Sequence, residues 1–331
     1  MVTMNLNKLF SEFYNIKVAV IGDVMLDTYW WGHVERISPE APVPIVALDK
    51  KELRIGGAGN VALNLVALGA QTTILSAIGN DEDGSTLQKL FQENNIRTEY
   101  LLCSNKRITT NKTRIISRNQ QMMRLDAETT SDIKAEEENA LIELFEKYII
   151  EEKPQLVIFE DYNKGVLTER IIDRFIQLCK NHQVITTVDP KKKNFFAYKG
   201  VDIFKPNLKE VKEGLNIFLD VINEHTLTEV HKALFEKMNH AISLITLSEY
   251  GVFYNSSETK KIIPTHIRNI ADVSGAGDTV IAVASLVYAV TKDIHMAAEI
   301  ANIAGGLVCE EVGTAAINKT KLLEECTILL A

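Results

Sequence analysis

Residues 17 to 22, Lys-Val-Ala-Val-Ile-Gly, form a short apolar run closed by glycine, the pattern of a strand buried on both faces. From Tyr29 to Leu53 the pattern changes to alternation broken by Pro39, Pro42 and Pro44, with Trp30, Trp31, Val43, Ile45 and Val46 between polar neighbours. This predicts short edge strands projecting from the main body. Gly56, Gly57, Ala58, Gly59 and Asn60 lead into a helix over 61–68 that Gly69 ends. A strand is expected over 74–79 and a helix over 81–94, followed by a second alternating region from Tyr100 to Leu125 that reads as more antiparallel sheet. Beyond Ala135 helix and strand alternate, with helices over 135–152, 168–181, 208–215 and 228–238 and strands over 156–159, 184–188, 203–205 and 242–246. An apolar run from Val280 to Val290 is long enough for a buried helix. Such βα repetition predicts an α/β fold with a mostly parallel sheet flanked by helices. The alternating insertions, about 29–54 and 100–125, are expected to form a small β-sheet lid on a single domain spanning 1–331.

Composition narrows the function. With 331 residues and 46% hydrophobic content the chain can bury a full-sized core. A net charge of −8 argues against general affinity for nucleic acid or anionic membranes, so any anion site must be local. Cys103, Cys179, Cys309 and Cys326 form no CxxC pair, which fits reduced thiols better than disulfides or zinc. The N-terminus shows no signal-peptide core and no 18-residue apolar span occurs, so a soluble cytoplasmic protein is expected.

The stretch Asp272-Val-Ser-Gly-Ala-Gly-Asp-Thr279 precedes the apolar run at 280–290. Its small residues let backbone N–H groups crowd at a helix N-terminus, where the macrodipole favours an anion. A carboxylate at Asp278 would repel a phosphate there unless it takes a proton from an attacking hydroxyl as transfer proceeds, which points to phosphoryl transfer. An N-capping aspartate beside a glycine-rich turn accounts for it equally well at this point. Polar residues also recur just past the predicted strands: Asp23 and Asp27, Glu160, Asp161 and Lys164, Asp189 and Lys191, Asn207 and Glu210, Ser248 and Gly251. In an open α/β sheet those positions share the edge where ligands bind. Gly57, Gly59 and Ala62 satisfy a GxGxxA spacing, but the charged segment 49–54 before them is no buried strand, and no Walker A, HExxH or GxSxG sequence occurs.

These residues resemble the ribokinase-like carbohydrate kinases of the PfkB family over nearly the whole chain. The Gly56 to Asn60 and Asp272 to Asp278 segments match the family's two signatures. Gly-Asp-Val-Met-Leu-Asp at 22–27, Glu-Arg-Ile-Ser-Pro-Glu-Ala-Pro-Val-Pro at 35–44 and Ser-Arg-Asn-Gln-Gln-Met-Met-Arg-Leu-Asp at 117–126 resemble the kinase half of the bacterial heptose 7-phosphate enzymes. Asp-Tyr-Asn-Lys-Gly-Val-Leu at 161–167 and Lys-Pro-Asn at 205–207 agree. The resemblance implies a ribokinase-like fold and ATP- and Mg²⁺-dependent phosphorylation of D-glycero-β-D-manno-heptose 7-phosphate at the anomeric oxygen, on the route to ADP-heptose for lipopolysaccharide. Many relatives carry a fused adenylyltransferase domain. None is read within these residues, so a separate adenylyltransferase is expected.

The resemblance further implies that Asp278 is the base and that the amides of Gly275, Ala276 and Gly277 stabilise the transferring phosphate. Asp27, Gly56, Gly57, Asn60 and Asp161 would meet the sugar. Arg114, Arg118, Arg124 and Lys164 are candidates for a clamp on the 7-phosphate. Asp189, Lys191, Asn207 and Glu210 would face nucleotide phosphates and magnesium, the last two through water. Thr246, Ser248, Gly251 and Asn302 resemble nucleotide-binding positions. Asp272, Ser274, Cys309 and Gly313 resemble a monovalent-cation loop, for potassium. A dimer through the β lid is expected.

Overall fold

The structure is a computed structural model that describes residues 5–118, 120–266 and 268–330. Strands β1 (Lys17–Gly22), β2 (Val24–Ile37) and β3 (Pro44–Gly57) open the chain after helix α1 (Leu6–Glu12). Helix α2 (Ala58–Leu68), β4 (Gln71–Gly79), α3 (Glu82–Glu93), β5 (Leu101–Ser104), β6 (Asn111–Ser117) and β7 (Gln120–Ala127) follow. Then come α4 (Ala135–Glu152), β8 (Leu156–Glu160), α5 (Glu169–Asn181), β9 (Ile185–Asp189), β10 (Ile203–Phe204), α6 (Leu208–Leu215), α7 (Glu224–Met238) and β11 (Ile242–Thr246). Strands β12 (Val252–Asn255) and β13 (Lys260–Ile263) and helices α8 (Ala276–Thr291), α9 (Ile294–Val308) and α10 (Lys319–Leu329) complete it.

Nine strands form the large sheet in the order β13-β12-β11-β10-β9-β8-β1-β4-β5, parallel from β11 to β5. Alternate residues of β1 enter different cores. Val18 and Val20 pack with α2, α8 and α9, whereas Ala19 and Ile21 pack with α4 and α5. Strands buried on both faces therefore read as unbroken apolar runs. Helix α8 is buried from Asp278 through Val287, which explains why it carries almost no polar face. From β1 the chain adds strands first on one side, β4 and β5, then on the other, β8 to β11. The topological switch lies between β1 and β8, where open α/β sheets hold ligands at the strands' carboxyl ends.

The small sheet runs β3-β2-β6-β7, with β2 parallel to β6 and antiparallel to β3. Two boundaries differ from the sequence expectation. Leu101–Ser104 pairs parallel with β4 at the edge of the large sheet, so the second lid segment begins at Asn111 and runs to Ala127. The first begins at Val24, directly beyond Asp23, and returns at Gly57. Elements that the pattern did not disclose are α1, the antiparallel β12 and β13, α9 and α10.

Candidate active site

The carboxyl ends of β1, β8, β9 and β10 bring one register row together. Gly22 pairs with Glu160, Glu160 with Asp189, and Lys205 follows Phe204, which pairs with Val188. Because side chains alternate, Glu160, Asp189 and Lys205 share the face of Ile158, Ile185 and Ile203, whose core includes α8. Lys205 Nζ lies 2.7 Å from Asp189 Oδ2, both buried. A Cβ added at Gly277 would stand 3.7 Å from Asp189 Oδ2 and 3.9 Å from Lys205 Nζ, which places the first turn of α8 against this pair.

Helix α8 starts from Gly275, in the left-handed region at φ +80°, with no side chain capping it. Any Cβ at Gly275 would approach Asn60 Nδ2 to 2.8 Å, so both backbone and space require glycine. The Ala276 N–H reaches Val273 O at 3.3 Å. Asp278, buried in the first turn, accepts from Asn60 Nδ2 at 2.7 Å and from the Tyr162 hydroxyl at 2.8 Å. Burial pushes its carboxyl up to about 6, against the pull of those two hydrogen bonds. A carboxylate so placed is ready to accept a proton near neutral pH.

The loop 161–167 is tied down from beneath. Asp23 accepts from the backbone N–H of Tyr162, Lys164 and Val166 at 2.8, 3.0 and 3.1 Å. Asp161 accepts from Asn163 N, Asn194 Nδ2 and the Tyr198 hydroxyl, and burial pushes its carboxyl up to about 6. Its oxygens are thus committed to the loop that positions Tyr162, and the structure does not bring them to the group around Asp278.

One face of the small sheet collects the expected sugar residues. Asp27, Tyr29 and Trp31 alternate on β2; Arg54 lies opposite Asp27, Arg114 opposite Tyr29, and Arg124 opposite Arg114. Arg114 Nη1 donates to buried Asp27 at 2.5 Å, and the guanidiniums of Arg54 and Arg114 lie 4.8 and 5.1 Å from the Tyr29 ring centroid. Gly56 pairs with Met25, and a Cβ there would stand 2.4 Å from Asp27 Oδ2. Gly57, at φ +60°, turns the chain from β3 into α2, which carries Asn60. Arg124 makes two bonds to Asp126, at 2.8 and 2.9 Å, and Lys164 pairs with Glu128 at 2.8 Å. Arg118 is not with them. It lies beyond Ser117, which pairs with Gly32, and the strand from Asp27 to Gly32 separates it from Asp27 by about 16 Å.

On the other side, Lys191 Nζ lies 2.7 Å from Glu210 and 3.6 Å from Asp189. Burial opposes its charge, but the Asp189 and Glu210 carboxylates outweigh that and raise it. Asn207 caps α6: its side chain accepts from Glu210 N at 2.9 Å and Glu210 accepts from Asn207 N at 2.8 Å. Thr246 bridges to Asn207, Gly251 N donates to Ser248 O at 3.1 Å, and Asn302 Nδ2 donates to Pro264 O at 2.8 Å. Asp272 accepts from Ser274 N, Ser274 Oγ and Gly313 N at 2.9, 2.8 and 2.9 Å, while Asp272 N donates to Cys309 O at 3.2 Å. Although burial works the other way, those donors hold the Asp272 carboxyl below its usual range. The four residues of the expected cation loop thus meet in one knot.

Sequence reasoning assigned no role to Tyr162, Lys205 or Arg54, and placed Glu160 at the ligand-binding edge without giving it a partner or a task. Tyr162 and Lys205 stood within recognised motifs; Arg54 and Glu160 needed the strand register to find a place.

Comparison with known proteins agrees with this architecture. The model for the pfkB family carbohydrate kinases matches residues 15–321. The bifunctional protein HldE of Syntrophotalea carbinolica is 37% identical over 97% of this chain and 65% of its own length. That of Aliarcobacter butzleri is 40% identical over 93% of this chain and 63% of its own. The chain therefore spans slightly less than two thirds of these relatives. Among solved structures, phosphofructokinase-2 from Escherichia coli in complex with potassium superposes with a TM-score of 0.78 at 17% identity, covering 96% of this chain and 99% of that one. Ribokinase from Arabidopsis thaliana, complexed with ribose and ATP, gives 0.71 at 15% identity over 93% and 99%. The fold is ribokinase-like and the chain is a sugar kinase. This chain belongs to the PfkB family of carbohydrate kinases.

Proposed function

We propose that the chain transfers the terminal phosphoryl group of ATP to the anomeric hydroxyl of D-glycero-β-D-manno-heptose 7-phosphate, giving the 1,7-bisphosphate. The observation that carries this reading is Asp278, buried at the uncapped N-terminus of α8 and held by Asn60 and Tyr162. Its carboxylate takes the hydroxyl proton as the amides of Gly275 and Gly277 and the ammonium groups of Lys191 and Lys205 meet the charge of the transferring phosphate. The donor set fits magnesium. It is all oxygen, from the Asn207 amide and the Glu210 carboxylate. Asn207 and Glu210 would face it through water, and when bound it would neutralise phosphate charge.

A phosphorylated acceptor is favoured by Arg54, Arg114 and Arg124 on one sheet face beside Asp27. Three planar guanidiniums on such a face suit bidentate capture of a phosphate. The opposite face leaves Met123 and Leu125 exposed, which supports a dimer that covers it with a second copy. The knot around Asp272 supports a potassium effect on rate. The one kinase fold accounts for the described elements, so adenylyl transfer to the product belongs to a polypeptide or domain outside these residues. No helix among the described residues is long and apolar enough to cross a membrane, consistent with work on cytoplasmic metabolites.

The test is ADP release with a panel of acceptors. Heptose 7-phosphate should exceed the unphosphorylated heptose in kcat/KM by about 100-fold, the worth of one or two charge-assisted hydrogen bonds to the phosphate. Equal rates would leave a PfkB kinase of another sugar. No turnover with any acceptor would leave a sugar-binding partner protein instead.

A further inference from the structure

Glu160 has no part in the mechanism above, and it is the charged member of the register row that stands without a partner. It is fully buried, and neither carboxylate oxygen has a hydrogen-bond partner. Its parity on β8 turns it to the α8 side, next to Asp189 in register. Glu160, Asp189, Asp278 and Glu210 bring four carboxylates to this edge, against two ammonium groups, Lys191 and Lys205. Asp189 has Lys205, Glu210 has Lys191, and Asp278 has Asn60 and Tyr162. Only Glu160 has nothing. A buried carboxylate without a partner is costly, and such a group persists in a site where a further ligand satisfies it.

We propose that Glu160 is a cation-facing residue: with Asp189 it draws the divalent ion that accompanies the nucleotide beneath the first turn of α8. The proposal rests on the nucleotide-dependent reading given above and extends it to a side chain that the sequence motifs do not single out. The capping-box pair has less to give. Both Asn207 Oδ1 and Glu210 Oε2 accept backbone N–H groups, and Glu210 Oε1 accepts from Lys191. Glu160 offers two oxygens with no competing bond. Two carboxylates facing a largely hydrated ion, with phosphate oxygens completing the shell, match how magnesium is held at phosphoryl-transfer sites.

The test needs no sugar. Mn²⁺ binding to the whole chain is measured by the loss of the free-ion electron paramagnetic resonance signal, with and without ADP, for wild type and Glu160→Gln. The variant should bind Mn²⁺ in the presence of ADP at least about tenfold more weakly, as for the loss of a group next to a metal. It should bind ADP in excess chelator as wild type does and unfold at no lower temperature, because it removes an unpaired buried acid. Unchanged Mn²⁺ affinity would overturn the proposal, and so would a lowered unfolding temperature with ADP and Mn²⁺ binding both intact. Should the variant not fold, the anomalous signal of Mn²⁺ in wild-type crystals grown with ADP decides. A peak within about 5 Å of the Glu160 carboxylate supports it, the reach of direct or one-water contact; a peak beside Glu210 alone refutes it. Failure of wild type to bind ADP at all would instead sink the kinase reading, and a changed acceptor preference would leave this inference untouched.

Discussion

Replacing Asp278 by asparagine tests the site through two opposed effects. The change keeps shape and volume. The new amide oxygen still accepts from Asn60 Nδ2, and the new amide nitrogen donates to the Tyr162 oxygen, since a hydroxyl accepts as readily as it donates. Packing is therefore preserved while the base is lost. Turnover should fall by about 10²- to 10⁴-fold, the range for a positioned general base. Stability should move the other way. The folded carboxyl sits at about 6, against about 3.9 for an unperturbed aspartate, and at about 1.4 kcal/mol per pH unit this gives about 3 kcal/mol. Because the folded value lies above the unfolded one, the folded state holds the proton more tightly. Wild-type stability then drains away as pH rises from about 4 to about 6 and stays reduced above that. The variant should match wild type near pH 4 and exceed it by up to about 3 kcal/mol at pH 8. For a chain of 331 residues that is about 4 °C in Tm. Differential scanning calorimetry across pH, with ADP-release kinetics on the same samples, reads both. A variant that is less stable at pH 8, or that turns over within a few-fold of wild type, would refute the assignment of Asp278 as a buried, strained base.

Three further outcomes follow from neighbouring contacts. Tyr162→Phe removes a donor to the Asp278 carboxylate, so the acid limb of the kcat/KM profile should move up by about one pH unit, which a pH–rate series measures. Lys205→Met takes the 2.7 Å ammonium partner from buried Asp189, leaving only Lys191 at 3.6 Å, and should cost about 3 kcal/mol in urea unfolding, far beyond what an exposed lysine would show. Arg114→Ala breaks the 2.5 Å bond to Asp27 on the sugar face; KM for the sugar phosphate should rise at least about tenfold while KM for ATP holds, as steady-state kinetics with each substrate varied will show.

Much of the scaffold was legible because burial on both faces leaves a plain trace. β1, β8 and β11 read directly as apolar runs between polar turns, and helices α3, α4 and α5 appeared almost to the residue. Helix α9 did not, because Ile294–Val308 is rich in alanine and glycine and buried on nearly every side, leaving no amphipathic period to detect. β12 and β13 run four residues each, too short for alternation to separate them from loop. Within the site, Asp278, Asn60 and Asp27 stood in motifs whose residue types state their chemistry. Arg54 and Glu160 stood outside them and Arg118, inside one, falls away from Asp27, because whether a strand residue meets the site depends on which partner it lies beside. One position of register moves a side chain to the opposite face.

Asp23 and Gly57 lie side by side, the Asp23 carbonyl accepting from Ala58 N at 3.0 Å, and Thr110, just before β6, joins them there, its carbonyl accepting from Leu26 N at 2.8 Å, so β2, β3 and β6 cross at one neck. Asp27 and Arg114 ride beyond that neck, whereas Asp278 belongs to the body beneath it. The residues proposed for recognition and those proposed for chemistry are thus mounted on two plates joined along one seam. A molecule gripped by both becomes the rivet between them, and tilting the outer plate by a few degrees alters the alignment of hydroxyl and base.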